Sequence, residues 1–180
     1  MILSAQTIRQ LAIDVDGHRP MIKPFYERTV VNGMTFGLGP AGYDVRIAQH
    51  VVLPPHGFVR ASVIEHIALP HNIMGWIADK SSWARKGVCV QNSKAEPGWR
   101  GHLTLEITNH SGEQIEIAQG SPMAHVVFVW LDHPTMEPYD GKYQDQPAMP
   151  VPAIHEVPAS DGPVVGMDSS ERPVRQREQD

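Results

Sequence analysis

From about Gly42 onward the chain breaks into short segments in which apolar and polar residues alternate, separated by Gly, Pro and Asn. This alternation is the strongest constraint in the sequence. A period of two gives a strand one buried face, and it cannot supply the stripe that an amphipathic helix needs. The segments expected as strands are YDVRI (43–47), HVVL (50–53), GFVRASV (57–63), EHIAL (65–69), IMGWIA (73–78), VCVQ (88–91), HLTLEIT (102–108), QIEIA (114–118) and AHVVFVWL (124–131). Turn chemistry at Pro54-Pro55-His56-Gly57, Pro97-Gly98 and Ser111-Gly112 separates several of them. Many short strands with little helix predict an all-β sandwich or jelly-roll barrel. Ahead of them, Ser4 followed by AQTIRQLA predicts a short capped helix with Ile8 and Leu11 on one face.

A chain of 180 residues suits one domain with a core of ordinary size. Composition shifts near Pro147, and residues 147–180 read as a Pro-rich, flexible or partner-ordered tail behind a domain spanning 1–146. The net charge of −5 argues against a general nucleic-acid or membrane-surface binder, which needs an excess of Lys and Arg. A local cation cluster is still enough for a single nucleotide. The lone cysteine, Cys89, allows no internal disulfide and reads as a small buried hydrophobe. The opening residues lack a basic segment followed by an apolar run, and the longest apolar run is too short to span a bilayer, so a cytoplasmic protein is expected.

In HLTLEIT, alternation puts Leu103, Leu105 and Ile107 on one face and His102, Thr104, Glu106 and Thr108 on the other. The second face is either solvated or the lining of a cleft, and alternation alone does not choose. In a cleft, Glu106 is a partly buried carboxylate with a raised pKa, able to move protons near neutral pH. The block Lys80-Ser81-Ser82-Trp83-Ala84-Arg85 offers two hydroxyls, two cations and turn N–H groups that could hold phosphate oxygens. It fits equally a capped helical turn with Ser81 or Ser82 as N-cap, and it lacks the glycines of a Walker loop. The ten histidines show no recognisable metal-ligand spacing, and the H-x-E…P-C-x-x-C signature of zinc deaminases is absent. There is also no Gly-x-Ser-x-Gly elbow.

In order and spacing, several blocks together resemble the dCTP deaminase branch of the trimeric dUTPase-like superfamily. They are the opening MILS, GYDVRI (42–47), KSSWARKGV (80–88), EPGWRGHLTLEITN (96–109), the Gly120-Ser121-Pro122-Met123 turn and PYDGKYQDQ (138–146). The resemblance covers roughly residues 1–146. It implies an all-β, dUTPase-like distorted jelly roll with a short N-terminal helix, assembled as a homotrimer with active sites at subunit interfaces. It also implies zinc-independent hydrolysis of dCTP to dUTP and ammonia, with Mg²⁺ arriving on the triphosphate, in the supply of dUMP and dTTP precursors.

Residue by residue, the resemblance implies that Glu106 is the catalytic glutamate. Ser81 and Arg85 would serve the reacting centre, and Lys80 and Ser82 the triphosphate. Trp99 would pack on the deoxyribose, and Tyr139, Lys142 and Gln146 would belong to the segment that closes over the nucleotide. Two departures stand out. The loop QNSKAEPGW is shorter than the family's and carries Glu96, and Lys80 replaces an arginine, exchanging a bidentate fork for a point charge. Glu96 keeps open a bifunctional enzyme or a dUTP diphosphatase that releases pyrophosphate, and a non-catalytic nucleotide-binding relative is a third reading. The ligands implied are dCTP and dUTP, with dTTP as a candidate inhibitor.

Overall fold

The computed structural model of the protein describes residues 1–13 and 19–155. In chain order the elements are α1 (Ala5–Ala12), β1 (Ile22–Lys23), β2 (Thr29–Val31), β3 (Met34–Gly39), β4 (Gly42–Arg46), β5 (Val51–Leu53), β6 (Phe58–Ala68), β7 (Ile73–Asp79), α2 (Ser81–Ala84), β8 (Val88–Val90), β9 (Lys94–Ala95), β10 (Arg100–Asn109), β11 (Ile115–Ile117) and β12 (Pro122–Trp130). The fold is all-β and jelly-roll-like, with one short N-terminal helix and a single turn of helix at α2. Every strand pair is antiparallel.

A six-stranded sheet runs β2-β3-β4-β12-β7-β9, a four-stranded sheet runs β1-β6-β10-β8, and β11 pairs with β5. Alternation built the centre of each sheet as expected. Ala124, Val126 and Phe128 of β12 point inward and are fully buried, as are Leu105 and Ile107 of β10. Each of the larger side chains among them contributes about 1.5–3 kcal/mol on leaving water. Pro122 stands first in β12, where a missing N–H costs the ladder nothing.

The two large sheets are tied together through a buried ion pair as well as by apolar packing. Glu65 of β6 is fully buried and accepts hydrogen bonds from the backbone N–H and the Nε of Arg46 on β4, both at 2.8 Å. The Arg46 guanidinium also lies over the rings of Phe36 and Tyr26, at 4.4 and 4.8 Å from their centroids. Burial pushes the Glu65 carboxyl above its ordinary value, partly offset by the bonds from Arg46.

Several local expectations are corrected. GFVRASV and EHIAL form one continuous strand, β6, because its inward residues Ala61, Val63, Glu65 and Ile67 stay in phase across Ile64. The short strands β1, β2, β3 and β9 were not expected, since β1, β2 and β9 are only two or three residues long and β3 is interrupted by Gly37. Helix α1 buries Ile8 and Ala12, with Leu11 half-buried at its edge. Helix α2 has Lys80 as N-cap, in extended conformation and without a side-chain cap bond, so neither Ser81 nor Ser82 caps it.

Candidate active site

Strand β10 carries Glu106 between two neighbours. On one side β6 runs antiparallel, and Glu106 lies directly opposite Arg60. On the other side β8 pairs with Ile107–Asn109 and then ends at Val90. Beyond it the ladder continues in a different form. The Gln91 N–H donates to the Glu106 carbonyl at 2.8 Å. The Asn92 carboxamide then accepts the Glu106 N–H at 3.1 Å and donates to the Thr104 carbonyl at 2.7 Å. A single side chain thus replaces a missing strand and leaves room beside it.

That room is a cavity of about 490 Å³. Its lining includes Glu106, Thr104, Asn92, Arg60, Glu96 and Trp99. The Glu106 carboxyl is half-buried, and burial pushes its pKa above the ordinary glutamate value against the pull of Arg60. Glu96, also half-buried, is ion-paired with Lys94 at 2.9 Å.

The C-terminal segment forms another wall of the cavity. Tyr139 and Gln146 line it, and Trp99, nearly fully buried, donates its indole N–H to the Tyr143 carbonyl at 2.7 Å. Two glycines permit this packing. Gly98 has φ +86°, and a Cβ there would stand 2.7 Å from Cβ of Pro138. Gly101 has φ +140°, and a Cβ there would meet the Gln146 backbone nitrogen at 2.5 Å. The His102 N–H donates to the Gln146 carbonyl at 3.0 Å, and Arg100 forms a bidentate pair with Asp145, both contacts at 2.6 Å.

The stretch expected as a flexible or partner-ordered tail begins docked in this wall. The Val151 N–H donates to Thr104 Oγ1 and the Ile154 N–H to the Tyr143 hydroxyl, both at 3.0 Å, while Val151, Pro152 and Ala153 face the cavity. The remainder of the expected tail, 156–180, lies outside the described residues.

The residues of the KSSWAR block lie elsewhere. Lys80 is buried, with its ammonium 2.8 Å from Asp44 Oδ2 and 3.2 Å from Thr35 Oγ1. His125 Nδ1 bonds the other Asp44 oxygen at 2.9 Å. Burial pulls the Asp44 carboxyl upward, but the hydrogen bonds from His125 and Lys80 outweigh it and hold the group below its ordinary value. Lys80 and Ser81 line a second cavity, of about 440 Å³, together with Asp44 and His125. Ser82 lines a third recess with Trp83 and Lys86. Arg85 and Lys142 are exposed, and Lys142 lies over the Tyr143 ring at 5.5 Å. One chain therefore gathers Glu106, Glu96, Trp99, Tyr139 and Gln146, and keeps Lys80, Ser81, Ser82 and Arg85 apart from them.

Sequence reasoning missed Asn92 and Arg60. Asn92 reads as an ordinary loop residue, and Arg60 as an ordinary outward strand residue. Only the strand register brings either beside Glu106. No group of three or more His, Cys, Asp and Glu side chains among the described residues is arranged to hold a metal ion.

Fold and site together define an antiparallel β protein with a carboxylate-bearing pocket closed by its own C-terminal segment. Residues 43–131 match the family model described as dCTP deaminase-like. The dCTP deaminase of Pyrococcus horikoshii is 33% identical over 139 residues, which cover 69% of this chain and 84% of that protein. The dCTP deaminase of Campylobacter fetus subsp. fetus is 29% identical over 184 residues, covering 84% of this chain and 97% of that protein. This chain belongs to the dCTP deaminase family. Among solved structures, native EIAV dUTPase aligns with a TM-score of 0.47 and 22% identity, over 56% of this chain and 84% of that one.

Proposed function

We propose that the protein hydrolyses dCTP to dUTP and ammonia, with Glu106 as the base and acid that moves the protons. The observation that carries this reading is the half-buried Glu106 carboxyl on the wall of a 490 Å³ cavity, its pKa raised by burial, beside Trp99, Tyr139 and Gln146. Family membership supports the same activity. Water adds to C4 of cytosine as Glu106 takes its proton. Glu106 returns that proton to N3, the proton of the new C4 hydroxyl passes to the amino group, and the C4–N4 bond breaks as ammonia leaves and the C4 carbonyl forms. Trp99 supplies an apolar wall for the deoxyribose. Tyr139, Lys142 and Gln146 act from the closing segment.

Ser81 and Arg85 contact the reacting centre, and Ser82 the triphosphate, from a neighbouring copy of the chain. Their separation from Glu106 within one chain supports a homotrimer with interfacial sites. Lys80 is the exception in the block. Its ammonium is already engaged by Asp44 and Thr35, which favours a role in anchoring Ser81 over direct phosphate binding. Mg²⁺ enters as part of the substrate, on the triphosphate. No helix among the described residues is long and apolar enough to cross a membrane. From its family membership we assign the protein to the cytoplasm.

A second reading rests on Glu96, which lines the same cavity and stands near enough to Lys94 to pair with it. A carboxylate there could direct water at the α-phosphate, making the enzyme bifunctional or a dUTP diphosphatase. Incubation with dCTP and Mg²⁺, with ammonia and pyrophosphate assayed separately, decides. Ammonia alone supports the first reading, and both products support the bifunctional one. Pyrophosphate from dUTP with no ammonia from dCTP overturns the first. Absence of both products leaves the non-catalytic nucleotide-binding reading. Mixing Glu106→Gln with Arg85→Ala tests the interfacial site, because mixed trimers recover activity only if the two residues come from different chains.

A further inference from the structure

One charged side chain in the Glu106 cavity has no part in the reaction as described. Arg60 stands on β6 directly opposite Glu106 on β10, and its side chain lines the same cavity. Directly opposed residues of an antiparallel pair have Cβ atoms about 4.5–5.5 Å apart, so the two side chains leave the sheet as neighbours. Arg60 is exposed, and its guanidinium makes no hydrogen bond or ion pair among the described residues. The other cation on the cavity wall, Lys94, is already paired with Glu96. The site therefore holds an open, planar set of donors next to the carboxylate that does the chemistry. An arginine whose guanidinium makes no hydrogen bond or ion pair with the protein, held on a strand within electrostatic reach of the reacting carboxylate, is placed to serve a ligand.

A pyrimidine offers suitable acceptors. Along one edge cytosine carries the N4 amino group, then N3, then the O2 carbonyl. With Glu106 at C4 and N4, a neighbouring group faces the N3 and O2 end. We propose that Arg60 is a further base-contacting residue, whose guanidinium donates to the O2 carbonyl of the pyrimidine while Glu106 works at C4. This rests on the assignment of a pyrimidine nucleotide to the cavity. As hydroxide adds to C4, the electron pair of the C4–N3 double bond moves onto N3 and is shared through C2 with O2. A donor fixed on O2 stabilises that charge until N3 receives its proton from Glu106. Because O2 is unchanged by deamination, the contact holds substrate and product alike. Its extra contribution comes only while the ring carries charge.

The test uses the full-length protein in three steps. First, dCTP binding is measured by calorimetry on Glu106→Gln, which cannot turn the ligand over, with and without Arg60→Met. Loss of a hydrogen bond from a charged donor weakens binding by about tenfold to a hundredfold. Second, the pair is repeated with 2-thio-dCTP, whose sulfur is a poor acceptor. If Arg60 holds O2, the thio substitution weakens binding to the Arg60 protein and has little further effect on Arg60→Met. Third, Arg60→Lys, which keeps the charge and loses the planar fork, recovers only part of the affinity for dCTP. The Arg60 variants should melt close to the temperature of the protein they are made in, since the Arg60 guanidinium makes no hydrogen bond or ion pair in the fold. Unchanged dCTP affinity in Arg60→Met overturns the proposal. So does an equal loss for both ligands, which would put Arg60 on another part of the nucleotide. If the unaltered protein releases no ammonia from dCTP, the assignment of the reaction falls first. If it does and the binding cycle is additive, only the role of Arg60 falls.

Discussion

The Asn92 carboxamide spans the backbone of β10, accepting from the Glu106 N–H at 3.1 Å and donating to the Thr104 carbonyl at 2.7 Å. It does the work of a strand residue from a loop position, and so determines both where Glu106 points and how far the loop stands from it. Replacing it with Ala leaves two backbone groups without partners, at about 1–3 kcal/mol for each that stays dry. Asn92→Ala should lower kcat more than the stability loss explains. Asn92→Asp, which keeps the acceptor and loses the donor, should be no better. Steady-state kinetics alongside urea denaturation check this, and a kcat within twofold of the parent in either variant contradicts it.

The pH dependence of kcat/KM tests the role of Glu106. The group must be ionised to take a proton from water, and burial holds its pKa above the ordinary glutamate value. Activity should therefore rise with pH through that raised value, so the acid limb lies higher than for an exposed glutamate. Glu106→Gln should keep nucleotide binding and abolish ammonia release. Turnover in that variant would remove Glu106 from its assigned role.

Gly101 is the hinge of the wall formed by the C-terminal segment. Its φ of +140° and the 2.5 Å approach of the Gln146 nitrogen leave no room for a methyl group. Gly101→Ala should cost about 1–3 kcal/mol in backbone strain or release the segment. Release would appear as faster proteolysis near Lys142 and a raised KM with the fold retained. Parental KM and protease resistance together would show that the segment tolerates the change.

Acid stability should depend on Asp44. Its carboxyl lies below its ordinary value in the folded protein, so the unfolded chain binds more protons as the medium becomes acidic. The stabilisation is complete above the pKa of the unfolded chain and is lost as pH falls through the lower, folded value. Asp44→Asn should remove that acid-sensitive part. At neutral pH it should also cost about 3–5 kcal/mol, because Lys80 is left buried without its counter-charge. Urea melts across pH, compared with the parent, measure both effects.

The alternation of the sequence determined the β architecture and the inward faces of β10 and β12, because burial with a period of two is a local property of each strand. Leu105 and Val126 could be assigned to the core without knowing what they touch. Gly98 was legible only as part of a Pro-Gly turn and Gly101 was not singled out at all, and the reason for each is a backbone approaching from residues 138–146. Of the surroundings of Glu106, the resemblance of the sequence blocks pointed to Trp99, Tyr139 and Gln146, but nothing in the sequence pointed to Arg60 or Asn92. Arg60 and Asn92 stand beside it through strand register and through the ending of β8 at Val90, and neither leaves a mark in local pattern. Lys80 shows the same limit. As a lysine next to two serines it suggests phosphate, yet its partner is Asp44 on another strand, and burial makes that pairing obligatory. Local periodicity decides which face of a strand is apolar. Only the closing of the sheets decides which polar groups share a pocket, because charges interact through space and not along the chain.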